Sequence, residues 1–236
     1  MTRALYADLG KIGYQHAMEI QNELAALRRE DKIPDVIIFA EHSPALLFGR
    51  KITSFSDSAI SAAGGPLEHA KSLGVDVHHT QFDSATYVGP GQVAVYPIMD
   101  YTRLFRPRDA AGYQSAIDNI ILDSLQRLGI KAELQKNITV NIDGTSHRIA
   151  SKAVAMGQKV ALHGFHLHVA AESTKHFGLL NTPDSFASAE HVLGYAPAGE
   201  EVRSAVLDAI RLNMKYDKIE ECKIEQTENG LLITKK

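Results

Sequence analysis

Apolar positions recur at steps of three and four in three stretches of the chain, the spacing that lines up side chains on one face of a helix. Ala17, Ile20, Leu24 and Leu27 form the first stripe, and Arg28, Arg29 and Glu30 close the segment. Ile117, Ile121, Leu125 and Leu128 form the second, which starts near Asp109 and stops at Gly129. Val202, Val206 and Ile210 form the third, over 200–214. Strand-like runs lie between them. "DVIIFAEH" (35–42) is apolar almost throughout, as a strand covered on both faces would be, and "GQVAVYPIM" (91–99) reads the same way. "VNIDGTSHRIA" (140–150) turns at Asp143-Gly144, and "SKAVAMGQKVALHGFHLHV" (151–169) turns near Gly157, so both predict hairpins. The tail alternates polar and apolar residues around Asn229-Gly230, which predicts a small C-terminal hairpin over 216–236, appended to a main domain over 1–215. Helices and hairpins mix without strict β-α-β alternation. The expected class is therefore α+β, a mixed or antiparallel central sheet flanked by helices.

Composition narrows the partners. The chain has 236 residues, 44% of them hydrophobic, enough for one substantial core. Its formal charge is -3 with no block of like charges, which gives no reason to expect nucleic acid or a membrane surface. No apolar run reaches the length of a membrane span, and "MTRALYADLG" lacks the apolar stretch of a signal peptide, so a cytoplasmic protein is expected; a monomer is expected as well. The single cysteine, Cys222, excludes an intrachain disulfide framework and a thiolate metal cluster. It adjoins Glu220 and Glu221, whose charge would raise the thiol pKa and disfavour a nucleophilic thiolate.

In "TYVGPGQ" (86–92), Pro90 stiffens a turn that Gly89 and Gly91 loosen, directly before a strand. Two readings stand: a tight structural turn, or backbone that must come close to a ligand. It is not a phosphate loop, because it lacks the Lys-Ser/Thr ending and opens no helix. "HGFHLH" places His166 and His168 on one face of a strand and His163 on the other. That pair could begin a zinc site, but no carboxylate or cysteine stands at a completing position, so no metal is expected. His78-His79 reads as polar residues beside a strand end, and "TSFSDSAISAAGGP" (53–66) as a surface loop.

Several segments in this order resemble the lipoyl(octanoyl) transferases, of the biotin/lipoate protein ligase superfamily. "IIFAEHSPALLFGR" (37–50) is similar to an early strand and loop of that family, "TYVGPGQ" to its Thr-Tyr-His-Gly-Pro-Gly-Gln signature, and "RIAS" with "ALHGFHLHV" to a later pair of strands. "LLNTPDS" falls where the family carries Pro-Cys-Gly. The resemblance covers roughly 5–215 and implies the biotin/lipoate ligase catalytic fold. It also implies transfer of an octanoyl group from acyl carrier protein to a lysine of a lipoyl domain or glycine cleavage H-type protein. The family works through a cysteine thioester assisted by a lysine, without a cofactor. Carried across, it places substrate binding at Gln81, Phe82, Asp83, Tyr87, Val88, Gly89, Gly91, Gln92, Ser151, Lys152, His163, Gly164 and Phe165, and catalysis at Arg148 and Asp184.

The departures from the family matter as much as the matches. Its Arg-Gly-Gly stands here as Gln81-Phe82-Asp83, its signature histidine as Val88, its lysine as Arg148 and its cysteine as Asp184. An aspartate attacking a thioester would give an unstable mixed anhydride, so Asp184 suits a general base for the incoming amine better than a nucleophile. Arg148 keeps a positive charge for a developing oxyanion but cannot shuttle a proton. Lys152 lies four residues on, roughly 13 Å along a strand, and cannot take the same point. Three readings follow, in order: direct transfer in a ternary complex, a non-catalytic relative that binds an acyl chain or lipoyl-type domain, and a ligase that makes an acyl-adenylate. A medium-length fatty ligand would call for an apolar tunnel beneath "GPGQ".

Overall fold

The computed structural model describes residues 2–49, 66–81, 85–107, 109–157, 159–180, 185–228 and 230–236. Its main sheet contains β1 (Arg3–Ile12), β2 (Asp35–His42), β6 (Gln92–Asp100), β10 (Ala150–Met156), β11 (Val160–His168), β12 (Lys218–Thr227) and β13 (Gly230–Lys235), in the order β10-β11-β6-β2-β1-β12-β13. β1 runs parallel to both neighbours, β2 and β12, and the other pairs are antiparallel. Two three-stranded sheets accompany it. One holds β3 (Ala45–Phe48), β4 (Asp76–His79) and β5 (Thr86–Val88), and the other β7 (Glu133–Leu134), β8 (Ile138–Ile142) and β9 (Thr145–Arg148).

Helices cover both faces of the main sheet, which is why β2 reads as an unbroken apolar run. α1 (Tyr14–Arg29) packs Ile20, Leu24 and Ala25 against Val36, Ile38, Ala40 and Tyr96. The opposite face carries Ile37, Phe39, Val95, Phe165 and Leu167, and packs against Ile117, Ile121, Val206 and Ile210. Those four come from α3 (Ala110–Arg127) and α5 (Gly199–Asn213), which follow α2 (Pro66–Ser72) and precede or follow α4 (Ala189–Leu193) in the chain. α3 begins where the pattern predicts, because the Asp109 carboxylate accepts the Gly112 N–H at 2.9 Å, and it ends before Gly129 at φ +81°.

Both internal hairpins form, β8–β9 about Asp143-Gly144 and β10–β11 about Gly157. The C-terminal hairpin forms as β12–β13, but it extends the main sheet through β1 instead of standing apart as an appendage. Asn229 of its turn and residues 53–65 of the Ser-rich stretch lie outside the described residues.

β6 is an interior strand that contains Pro97, which has no N–H to give the ladder. β11 answers with an irregularity. Regular pairing with β6 is interrupted between Ala161 and Phe165, and His163 adopts φ +60°. Its N–H turns to Gln21 Oε1 of α1 at 3.1 Å. A Cβ at Gly164 would strike the Val95 carbonyl oxygen and come within 2.7 Å of Pro97 Cδ, so close backbone approach requires glycine there.

At the start of β2, Asp35 is buried at 3% exposure and gathers distant elements. Its carboxylate accepts from Arg28 Nε at 2.6 Å, Tyr216 Oη at 2.5 Å and the Asp100 N–H at 2.9 Å, with Arg103 3.4 Å away.

Candidate functional site

The registers of four strands set one row of side chains across the sheet face that α1 shares. Ala40 pairs with Ala94, Ala94 with His166, and His166 with Ser151. Gln92 pairs with His168 in the adjacent row on the same face. The two alanines leave room for rings, and a polar network fills it. The Ile12 carbonyl can only accept, so His42 Nδ1 carries the proton in their 3.1 Å contact. His42 Nε2 then accepts from the Tyr96 hydroxyl at 2.5 Å, and the Tyr96 oxygen accepts from His166 Nε2 at 3.1 Å. Burial holds His42 and His166 below the usual imidazole pKa, and it raises Tyr96 well above the phenol range.

The same tautomer logic applies one strand over. His168 Nδ1 donates to the Ala187 carbonyl at 3.3 Å, which leaves Nε2 to accept from Ser151 Oγ at 3.3 Å. Burial first, and then the positive charge of Arg148, lower the His168 pKa to about 3. The imidazole lies 4.8 Å from the Phe177 ring and 6.0 Å from that of Phe186, and these two phenyl rings stack at 3.8 Å.

Arg148 ends β9 beside a short extended segment, 185–187. Its N–H donates to the Ser185 carbonyl at 2.7 Å, and its carbonyl accepts the Ala187 N–H at 2.9 Å. Its guanidinium carbon lies 5.4 Å from the Phe186 ring centre. The segment that follows position 184 is thus anchored to Arg148, although Asp184, like Phe82 and Asp83, lies outside the described residues.

The turn at 86–92 has a structural explanation. Gly91 holds φ +78°, and a Cβ there would meet Ser173 N at 2.9 Å and Ala170 Cβ at 3.1 Å. Its carbonyl accepts the N–H groups of Val169 and Ala170. Gly89 makes room for the Tyr87 side chain, which folds back over it and packs on Phe177. Burial raises the Tyr87 hydroxyl to about 12. Val88 is fully buried among Tyr14, Ala45 and Leu47. Gln92 Nε2 donates to the carbonyls of Tyr87 and Ser173, which fixes the amide and leaves Oε1 buried without a hydrogen-bond partner among the described residues.

The structure therefore brings Gln92, Ser151 and the Arg148 backbone together around His168. Other sequence-derived positions lie elsewhere. Phe165 is in the core on the opposite face, and His163 lies against α1. Lys152 also points to the opposite face, where its ammonium pairs with Asp118 at 2.5 Å. Lys152 lines a cleft of about 260 Å³ with Asp118, Lys136, Asn137 and Arg148. Gln81 is exposed. Sequence reasoning passed over His42, Tyr96, His168, Phe177 and Phe186 as site residues. The parity of His166 and His168 was readable, but their partners depend on register across four strands. On the sheet face beneath the turn, Gln92, Tyr96, Ser151, His166 and His168 stand among the apolar residues that pack against α1.

The fold and the sequence agree on relatives. The model of the lipoyl protein ligase A/B catalytic domain matches residues 13–211. An octanoyltransferase of Syntrophobacter fumaroxidans is 27% identical over 223 residues, 92% of this chain and 93% of that protein. One from Rubrobacter xylanophilus is 32% identical over 167 residues, covering 68% and 69%. Among solved structures, the bipartite lipoate protein ligase of Thermoplasma acidophilum superposes with a TM-score of 0.68 at 15% identity, covering 93% of this chain and 88% of that one. A lipoate-protein ligase A bound with ATP gives 0.65 at 16% identity, covering 92% and 89%. The structural likenesses establish the fold, and the family match spans most of the chain: it belongs to the lipoyl protein ligase A/B catalytic domain family.

Proposed function

We propose that this protein moves an octanoyl or lipoyl group from acyl carrier protein to a lysine of a lipoyl domain or glycine cleavage H-type protein, without a cysteine intermediate. The observation that carries the last clause is the place of the single cysteine. Cys222 is on β12, buried at 2% exposure among Leu5, Ile20 and Ile38 in the core beneath α1, and burial raises its thiol to about 11. Arg148 supplies positive charge beside the reacting carbonyl, and Asp184 is the base expected for the incoming amine. The reading places the protein in the cytoplasm. Among the described residues, no helix is long and apolar enough to cross a membrane.

Incubation with octanoyl-acyl carrier protein and an apo lipoyl domain, read by intact mass, tests this directly. The expected result is an octanoyl increment on the lipoyl domain without ATP. No increment, with or without ATP and free lipoate, sinks the enzymatic reading. Asp184 and Arg148, in the places of the family's cysteine and lysine, favour a second reading, a relative that binds an acyl chain or a lipoyl-type domain without turnover. In that case the lipoyl domain would bind and remain unmodified.

A further inference from the structure

The acyl-transfer reading leaves open which atom, if any, holds the acyl group between donor and acceptor. We propose that Ser151 Oγ takes it as an oxygen ester, with His168 as general base. The inference rests on the acyl-transfer reading and extends it to a covalent intermediate.

Three observations support it. The first is the nucleophile–base–orienter arrangement. Ser151 Oγ lies 3.3 Å from His168 Nε2, and the Ala187 carbonyl, 3.3 Å from Nδ1, fixes the tautomer that leaves Nε2 basic. The second is its place. Ala187 belongs to the 185–187 segment anchored to Arg148, so the pair is tied to the stretch directly after position 184 and to the residue that stands in the lysine's place. The third is polar demand. Gln92 pairs with His168 across the ladder, and its Oε1 is a buried acceptor that meets no donor among the described residues. An amine or amide N–H of a substrate would satisfy it.

The chemistry balances without a further reactant. Ser151 Oγ attacks the thioester carbonyl and gives its proton to His168 Nε2. The C–S bond breaks, and the departing sulfur takes that proton. The acceptor amine then attacks the ester, and on this covalent route His168 Nε2, in place of the Asp184 base of direct transfer, accepts its proton. The C–O bond to Ser151 breaks, and the proton returns to Ser151 Oγ. The net change is thioester plus amine to amide plus thiol. Unlike the mixed anhydride that an aspartate would form, an oxygen ester is a stable intermediate. Burial, and then the positive charge of Arg148, hold His168 below the usual imidazole basicity. Part of that depression comes from Arg148, and a tetrahedral oxyanion beside the guanidinium would cancel it as the carbonyl is attacked. The stacked Phe177 and Phe186 rings screen the imidazole from water, which would otherwise hydrolyse the ester.

The test uses the full chain with octanoyl-pantetheine thioester, quenched in acid and examined by intact mass and peptide mapping, then with the apo lipoyl domain added. The wild type should carry an octanoyl increment on Ser151 that survives neutral hydroxylamine. Ser151→Ala should lose the increment and slow transfer by about three orders of magnitude. Ser151→Cys should restore an increment, now cleaved by hydroxylamine as a thioester. His168→Gln, which keeps a donor for Ala187, should slow ester formation with little change in KM. An ester on Ser151 without transfer supports the nucleophile and sinks the acceptor reading. Transfer undiminished in Ser151→Ala overturns the nucleophile and leaves the acyltransferase intact. Neither ester nor transfer in the wild type overturns both.

Discussion

Asp35→Asn isolates one charge at the base of the sheet. The carboxylate serves α1 through Arg28, β6 through the Asp100 N–H, and the segment after α5 through Tyr216. The replacement keeps the shape and removes the charge. Arg28, itself 9% exposed, would retain Asp31 at 2.5 Å and Asp100 at 3.6 Å. Breaking a buried pair from one side costs about 3–5 kcal/mol, and the two remaining carboxylates argue for the lower end, about 3 kcal/mol. Tyr216→Phe removes one hydrogen bond to a charged acceptor, about 1.5–3 kcal/mol. Because both changes touch one network, the double variant should cost less than the sum of the two. Urea unfolding at pH 7.5 reads these values, provided the m-value is unchanged. Transfer per folded molecule should be unaltered, since Asp35 lies seven residues from His42, roughly 23 Å along β2. An Asp35→Asn protein within about 1 kcal/mol of wild type would refute the reasoning.

Acid should destabilise the protein through its buried histidines. Burial lowers the folded pKa of His42, His163, His166 and His168 below the usual value, so between that value and the folded one the unfolded chain binds more protons. Stability should therefore fall as pH drops below about 6.5, with a slope approaching 1.4 kcal/mol per pH unit for each histidine. Urea midpoints from pH 7.5 to 4.5 measure the slope, and His42→Gln should reduce it. Gly91→Ala should cost about 1–3 kcal/mol, from the strain at φ +78° and the close approach to Ser173 N, and a thermal melt would show it. Gly164→Ala should be worse, because the Val95 carbonyl is rigid ladder backbone, and loss of soluble protein is the expected readout. Cys222→Ser should leave transfer unchanged, and Cys222 in the native protein should resist alkylation, because the thiol is buried and raised to about 11.

Local pattern was enough for the long helices, for β2 and for the hairpins, because each of these elements states its own period and its own stop. β1 escaped notice for a physical reason. Its register with β2 shifts between Asp8 and Lys11, around Gly10 at φ +63°, so the apolar positions never alternate cleanly. "TYVGPGQ" was legible as a turn before a strand, but the reason for its glycines was not. Gly91 answers to Ser173 and Gly89 to Tyr87, contacts that only the folded chain discloses. His163-Gly164 is similar, since its conformation accommodates Pro97 on the neighbouring strand. The Ser151–His168 pair joins residues on two strands, and no spacing within either strand reveals it.

β1 acquires its neighbour β2 soon after it is made and its other neighbour, β12, only some 215 residues later. Thr2 and Asp217 are 215 residues apart, yet the Thr2 N–H donates to the Asp217 carboxylate at 2.6 Å and its carbonyl accepts the Asp217 N–H at 2.9 Å. At about 5–20 residues per second, the ribosome takes on the order of 10–40 s to deliver that partner. Until then one whole side of β1 offers unpaired amides to any strand nearby, the state in which chains swap or aggregate. Closure of the sheet thus waits on synthesis of β12, and a chaperone that shields the nascent chain would act first on this edge.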